Sequence, residues 1–97
     1  MDFRELISKM IEQLSKSDKY IMKAKYSDDR EIAKLYHKMA KDSHDNYVLL
    51  HNLMEHKAKE YIGDTFTPED KMYKIIHCIM DDWAIDAQER IEKIKIM

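Results

Sequence analysis

Histidine is the residue type in this chain that is best suited to chemistry, because a neutral imidazole binds metal ions and exchanges protons near neutral pH. Three of the five histidines, His37, His44 and His51, are spaced by seven residues. Seven residues make two helical turns, so these three form one stripe on a single helix face. Neighbours in the stripe are more than about 10 Å apart along the helix axis, too far for two of them to share one ion. The stripe alone is therefore not a metal site.

His51 and His77 each have a carboxylate one helical turn away. His51 precedes Glu55 by four residues, and His77 precedes Asp81 by four residues. Side chains four residues apart lie on the same helix face, so each pair could hold a metal ion. The alternative is that these histidines lie half-exposed at the edge of the core, where their partners modestly support the helices. Both interpretations stay open from the sequence.

The connection between the two pairs contains the only Gly and the only Pro of the chain. Gly63 suits the C-terminal cap of one helix, Thr67 suits the N-cap of the next, and Pro68 suits its first turn. A short turn of this kind folds the following helix back against the preceding one. The sequence therefore predicts a tight antiparallel hairpin at this point.

The pivot of this hairpin determines whether the two histidine pairs can meet. A pivot in the middle of the connection places His51 level with residues 77–79, so His51 and His77 can face each other. Because the helices run in opposite directions, Glu55 lies toward the turn and Asp81 lies away from it. We therefore predict a candidate metal site in which one ion takes both imidazoles and at most one carboxylate.

Hydrophobic periodicity predicts three helices, at about residues 2–25, 29–62 and 68–96, in a single domain over residues 1–97. Ser27 or Asp28 could cap the second helix. Short connections between long helices predict an all-α, up-down-up antiparallel three-helix bundle. The expected core line of the second helix runs through Ile32, Tyr36, Met39, Ala40, Ser43, Tyr47, Leu50 and Met54. That of the third helix runs through Met72, Ile76, Ile79, Trp83, Ala87, Ile91 and Ile94.

Further apolar residues lie away from these core lines, by roughly 100–140° around each helix. The candidate residues are Leu35, Leu49, Leu53, Cys78 and Ile85. Each helix of a three-helix bundle contacts two neighbours and so needs a broad apolar face, which is one explanation. The other is an interface between copies of the chain, and we expect a homo-oligomer because a slender bundle buries little core alone.

Composition excludes several classes of function. The formal net charge of -2 and the scattered lysines argue against nucleic-acid binding, and one Gly leaves no phosphate-binding loop. Cys78 is the single cysteine, so no disulfide can form within the chain and a reducing compartment fits. The N-terminal segment lacks a signal-peptide pattern, and no apolar run is long enough to cross a membrane. We expect a cytoplasmic protein that does not bind membranes.

The segment 33–42, Ala-Lys-Leu-Tyr-His-Lys-Met-Ala-Lys-Asp, followed by 43–50, Ser-His-Asp-Asn-Tyr-Val-Leu-Leu, resembles the second helix of a ferritin-like or rubrerythrin-like hairpin. In those families a similar phrase carries the Glu-x-x-His ligand pair of a di-metal site. The corresponding positions here are Ser43 and Asn46, so the resemblance implies the hairpin without its metals. The same segment is similar to small helical proteins of bacteriophages and prophages of low-GC bacteria.

These observations favour a non-enzymatic helical module that associates with itself or with a partner protein. The expected surface is formed by the five apolar residues away from the core lines. The alternative is a metal-binding, ferritin-like bundle that uses His51, Glu55, His77 and Asp81. We expect no enzyme and no cofactor, because the chain has no catalytic signature and only three arginines for binding anionic substrates.

Overall fold

A computed structural model describes residues 3–61 and 68–94, including the side chains of residues 4–57 and 74–94. The described residues form α-helices joined by short connections and contain no β-strand. The protein measures 53 × 21 × 15 Å, so it is a slender bundle. The prediction of an all-α fold is confirmed.

The three helices lie close to their predicted bounds. They are α1 at Phe3–Tyr26, α2 at Arg30–Tyr61 and α3 at Pro68–Lys93. Pro68 is the first residue of α3, as expected for a residue that has no N–H to leave unpaired. The predicted caps at Gly63 and Thr67 lie outside the described residues.

Asp29 caps the N-terminus of α2. Its Oδ1 accepts hydrogen bonds from the backbone N–H of Glu31 at 2.9 Å and of Ile32 at 3.1 Å. The Ser27 hydroxyl accepts a bond from the N–H of Asp29 at 3.3 Å, so Ser27 shapes the turn before the cap. The predicted cap at Ser27 or Asp28 is therefore wrong, because the carboxylate that reaches the free N–H groups of the first turn belongs to the next residue.

Small and polar residues join α1 to α2. The buried Ser17 donates a hydrogen bond to the carbonyl of Ala40 at 3.2 Å, and Asn46 donates to Gln13 at 3.4 Å. Residue numbers rise along one helix as they fall along the other, so the two helices are antiparallel. Serine and alanine side chains allow the backbones to approach closely, and this pair has the most extensive helix contact.

Polar contacts also attach α3 to α1. The Trp83 indole N–H donates to Asp18 at 2.7 Å, and Arg90 donates to the other carboxylate oxygen of Asp18 at 3.1 Å. Trp83 therefore packs within the chain, against the edge of the core cluster. A single carboxylate on α1 thus holds two side chains that lie two helical turns apart on α3.

The hydrophobic core has two clusters along the bundle. The larger contains Leu6, Met10, Leu14, Tyr47, Met54, Met80 and Ala84, and the smaller contains Ile21, Ala40, Ala87 and Ile91.

Two predicted core positions are wrong. Ile32 is exposed beside the start of α2, and Ile79 is 60% exposed, whereas Met80 is 2% exposed and occupies the core. Moving one residue along a helix rotates the side chain by about 100°, and the inward position here falls on methionine.

Candidate metal centre

The histidine stripe of α2 faces α3 along its whole length. His37 Nε2 lies 3.0 Å from the carbonyl oxygen of Ile91, and His44 Nε2 lies 2.9 Å from that of Ala84. A carbonyl oxygen only accepts hydrogen bonds, so both histidines donate from Nε2. These two histidines therefore tie α2 to α3, and their Nε2 atoms are not available to a metal ion.

The third histidine of the stripe meets a side chain instead. His51 Nε2 lies 2.8 Å from His77 Nε2, and the two rings stack with their centroids 4.7 Å apart. Two nitrogen atoms at this distance share one proton, because two lone pairs would repel each other. The predicted juxtaposition of His51 and His77 is confirmed, and it places two potential metal ligands side by side.

Glu55 completes a triangle with the two imidazoles. Its Oε1 lies 3.6 Å from His51 Nε2 and 3.5 Å from His77 Nε2. Within the described part of the chain, these three residues form the set whose ligand atoms all lie within 4.8 Å of one another.

The size of this triangle suits a transition-metal ion. Bonds of about 2.0–2.1 Å separate adjacent ligand atoms by roughly 2.9–3.0 Å in octahedral and 3.3–3.4 Å in tetrahedral geometry. The three separations, 2.8, 3.5 and 3.6 Å, span this range. Shifts of a few tenths of an ångström would therefore bring all three atoms onto one ion.

Asp81 lies beside the histidine pair but outside this triangle. Its Oδ1 is 3.0 Å from His51 Nε2, and its Oδ2 is 3.4 Å from His77 Nδ1, the second nitrogen of that ring. A carboxylate at Nδ1 favours the tautomer that carries its proton there, which leaves the Nε2 lone pair free to bind a metal. Asp81 therefore favours the tautomer of His77 that could bind a metal ion through Nε2.

Tyr47 supports Asp81 from inside the core. Its hydroxyl donates a hydrogen bond to Asp81 Oδ1 at 3.2 Å. Burial raises the pKa of Tyr47 well above its ordinary value, and the negative charge of Asp81 adds to the effect. The hydroxyl thus keeps its proton and stays a donor. The Tyr47 ring also lies next to the His51 ring, with their centroids 5.8 Å apart.

The site is only partly covered. The His51 and His77 side chains are 18% and 20% exposed, whereas the carboxylate-bearing side chains of Glu55 and Asp81 are 52% and 39% exposed. The imidazoles are therefore held in place by packing, while solvent and ions can reach the carboxylate side. This arrangement gives an ion a route of entry.

The structure thus brings together all four residues of the sequence-based metal hypothesis, and whether they bind a metal stays a prediction. Tyr47, which the sequence pattern assigns to the core line alone, also belongs to this cluster through its hydrogen bond to Asp81. Its spacing of four residues before His51 was the available signal. Ser43 and Asn46, the positions that the ferritin-like resemblance implies, are not part of this cluster. Ser43 is buried, and Asn46 bonds to Gln13 on α1.

Comparisons of the chain with models of known protein families, with curated proteins and with solved structures found no match. No helix in the described ranges 3–61 and 68–94 has both the length and the hydropathy needed to cross a membrane.

Proposed function

We propose that this chain is a metal-binding helical bundle that holds one divalent transition-metal ion between α2 and α3. The observation that carries the proposal is the triangle of His51 Nε2, His77 Nε2 and Glu55 Oε1, with edges of 2.8, 3.5 and 3.6 Å. Two imidazoles and one carboxylate are the ligand set of many zinc and iron(II) sites.

The ligand types also indicate which ions fit. Imidazole nitrogen suits zinc, iron, copper, cobalt and nickel, whereas magnesium and calcium prefer sites made of oxygen. Two of the three ligand atoms here are nitrogen. The proposal therefore favours a first-row transition metal over magnesium or calcium.

Binding would convert a hydrogen bond into a cross-link between helices. Both Nε2 lone pairs would be needed for coordination, so the shared proton would leave Nε2 when an ion binds, and His51 would stay neutral by carrying a proton at Nδ1 instead. The ion then joins α2 to α3 through ligands from both helices, which stabilises the packed state relative to the unfolded chain.

Isothermal titration calorimetry with zinc and metal-free protein tests the proposal, with Glu55→Gln as the variant. We expect the full chain to bind about one equivalent of zinc, and Glu55→Gln to weaken binding by roughly 10-fold to 100-fold, because an amide oxygen is a poorer ligand than a carboxylate. Glu89→Gln removes the same charge at an exposed position of α3 and should leave binding unchanged.

Two results would contradict the proposal. One is the absence of zinc, iron, cobalt or nickel binding near one equivalent by the untagged protein. The other is equal zinc affinity in the Glu55→Gln and Glu89→Gln variants, which would mean that zinc binds at a different place.

A second proposal is self-association through the exposed apolar residues of α2 and α3. It is supported by the exposure of all five residues predicted for such a surface, Leu35, Leu49, Leu53, Cys78 and Ile85. An apolar surface of this kind commonly marks a protein interface. Light scattering should give a mass above that of one chain, and Leu49→Glu with Leu53→Glu should return it to one chain. A single-chain mass for the unmodified protein would exclude this proposal.

A further inference from the structure

The coordination sphere of an ion at this site is incomplete. Three ligand atoms come from the described residues, and Glu55, on the outer side, is half-exposed. Transition-metal ions take four to six ligands, and sites with three protein ligands keep the remaining positions for water or another small molecule. The open positions would face the solvent side of the groove between α2 and α3.

Asp81 places a negative charge next to these open positions. Its Oδ1 lies 3.0 Å from His51 Nε2, a distance typical of two neighbouring atoms around one ion. Both of its oxygens already face hydrogen atoms of other groups, the Tyr47 hydroxyl at Oδ1 and the His77 ring at Oδ2. These contacts hold Asp81 in place, and its oxygens do not belong to the set of ligand atoms that lie within 4.8 Å of one another. Asp81 would therefore be a charged neighbour of the ion and not a fourth ligand.

The charges around the ion determine which ligand is favoured. A divalent ion with Glu55 as its charged ligand keeps one net positive charge, and Asp81 offsets that charge from the side of the open positions. An anion that binds there approaches a carboxylate at close range, whereas a neutral ligand does not. A neutral ligand that carries a hydrogen, such as water, can also donate it to Asp81.

We infer that the metal centre has an exchangeable coordination position next to Asp81, and that Asp81 makes this position select small neutral ligands over small anions. This inference rests on the proposed metal-binding function. It goes beyond that function because it assigns the bound ion an accessible ligand site, and because it assigns the selectivity of that site to one residue.

Cobalt(II) in place of zinc makes the ligand site visible, because its absorption bands change when its ligands change. The full chain, Asp81→Asn and Asp82→Asn are each loaded with saturating cobalt(II) and titrated with azide and, separately, with neutral imidazole. Asp82 is exposed on α3 and provides the matched loss of one charge. We expect imidazole to change the spectrum of all three proteins at similar concentrations. Azide should bind Asp81→Asn about tenfold more tightly than the unmodified chain, and Asp82→Asn like the unmodified chain.

The possible outcomes separate this inference from the proposed function. If no cobalt(II) bands appear, both are overturned. If the bands appear but neither azide nor imidazole changes them, the proposed function stands and the exchangeable position is excluded. If azide binds the Asp81→Asn and Asp82→Asn variants equally tightly, the position exists but Asp81 does not select its ligand, and the inference is overturned.

Discussion

His44 and His51 occupy equivalent positions on α2, but only His51 meets a second potential metal ligand on α3. They are seven residues apart on one helix face, and their partners on α3, Ala84 and His77, are also seven residues apart. His44 Nε2 lies 2.9 Å from a backbone carbonyl, and His51 Nε2 lies 2.8 Å from an imidazole nitrogen. The difference between the two places therefore arises on α3.

The groups that α3 presents to the stripe explain this difference. At His44, as at His37, α3 presents a backbone carbonyl oxygen, which accepts the Nε2 proton of the imidazole. At the next position toward the turn, α3 presents a second imidazole. The same histidine stripe thus supplies a structural hydrogen bond in one heptad and one member of a pair of potential metal ligands in the next. A histidine stripe predicts a site only where the facing helix contributes ligands as well.

Removing the His77 imidazole should have the largest effect. In His77→Ala, His51 faces α3 without a second ligand, so we expect zinc affinity to fall by about 100-fold or more. Calorimetry measures the affinity, and circular dichroism checks that the helices persist. Zinc affinity within threefold of that of the unmodified chain would show that the two histidines do not act together.

Removing the His44 imidazole should lower the stability of the fold and should not weaken zinc binding. His44→Ala loses the hydrogen bond to the Ala84 carbonyl and leaves a gap between α2 and α3, so the free energy of unfolding should fall by about 1–2 kcal/mol. Zinc affinity should not change. Urea denaturation of the metal-free protein gives the first quantity and calorimetry gives the second. A large loss of zinc affinity would mean that the two heptads are not chemically distinct.

Tyr47 lies between the two places and should show the smallest effect at neutral pH. Its ring is near both His44 and His51, with centroids 6.3 and 5.8 Å away. Tyr47→Phe removes the hydrogen bond to Asp81, so we expect a loss of about 0.5–1 kcal/mol in stability. Zinc affinity should fall only slightly, because Tyr47 acts on the ion through Asp81. Urea denaturation and calorimetry measure the two effects, and a loss of zinc affinity as large as that of Glu55→Gln would contradict this indirect role.

Alkaline pH should distinguish the buried Tyr47 from the exposed Tyr26. Its folded-state pKa is raised, so its stabilising contribution is complete below the ordinary tyrosine value of about 10. That contribution is lost as the pH rises further, because the unfolded chain ionises first. Above pH 10 the unmodified chain should lose about 1.4 kcal/mol per pH unit more than Tyr47→Phe. The exposed Tyr26 provides the control, and Tyr26→Phe should follow the unmodified chain. Equal slopes for both variants would contradict the proposed burial effect.

The positions of the helices and the level of His51 could be predicted because they depend on spacing and on one turn. The fixed rise per residue of a helix converts a pivot near the middle of the connection into the pairing of His51 with His77. The exchange of Ile79 for Met80 in the core could not be predicted in this way. Both side chains are apolar, and which of them faces the core depends on the rotation of α3 about its axis. Contacts with α1 and α2 set that rotation.

The hydrogen bonds of the histidine stripe could not be predicted from residue types either. His37 and His44 bond to backbone carbonyls, which every residue carries, so no pattern of side chains marks them. Asp29 is a similar case, because three neighbouring residues, Ser27, Asp28 and Asp29, are all good helix caps. The backbone path through the turn determines which of them caps the helix.

The indole of Trp83 fluoresces, and its hydrogen bond to Asp18 makes this fluorescence sensitive to the contact between α3 and α1. Trp83 is the single tryptophan, and its indole N–H bonds to a carboxylate of α1 at 2.7 Å. Its emission therefore reports whether α3 is docked against α1, two residues along α3 from Asp81. Unfolding of this contact can thus be followed by emission without any added label.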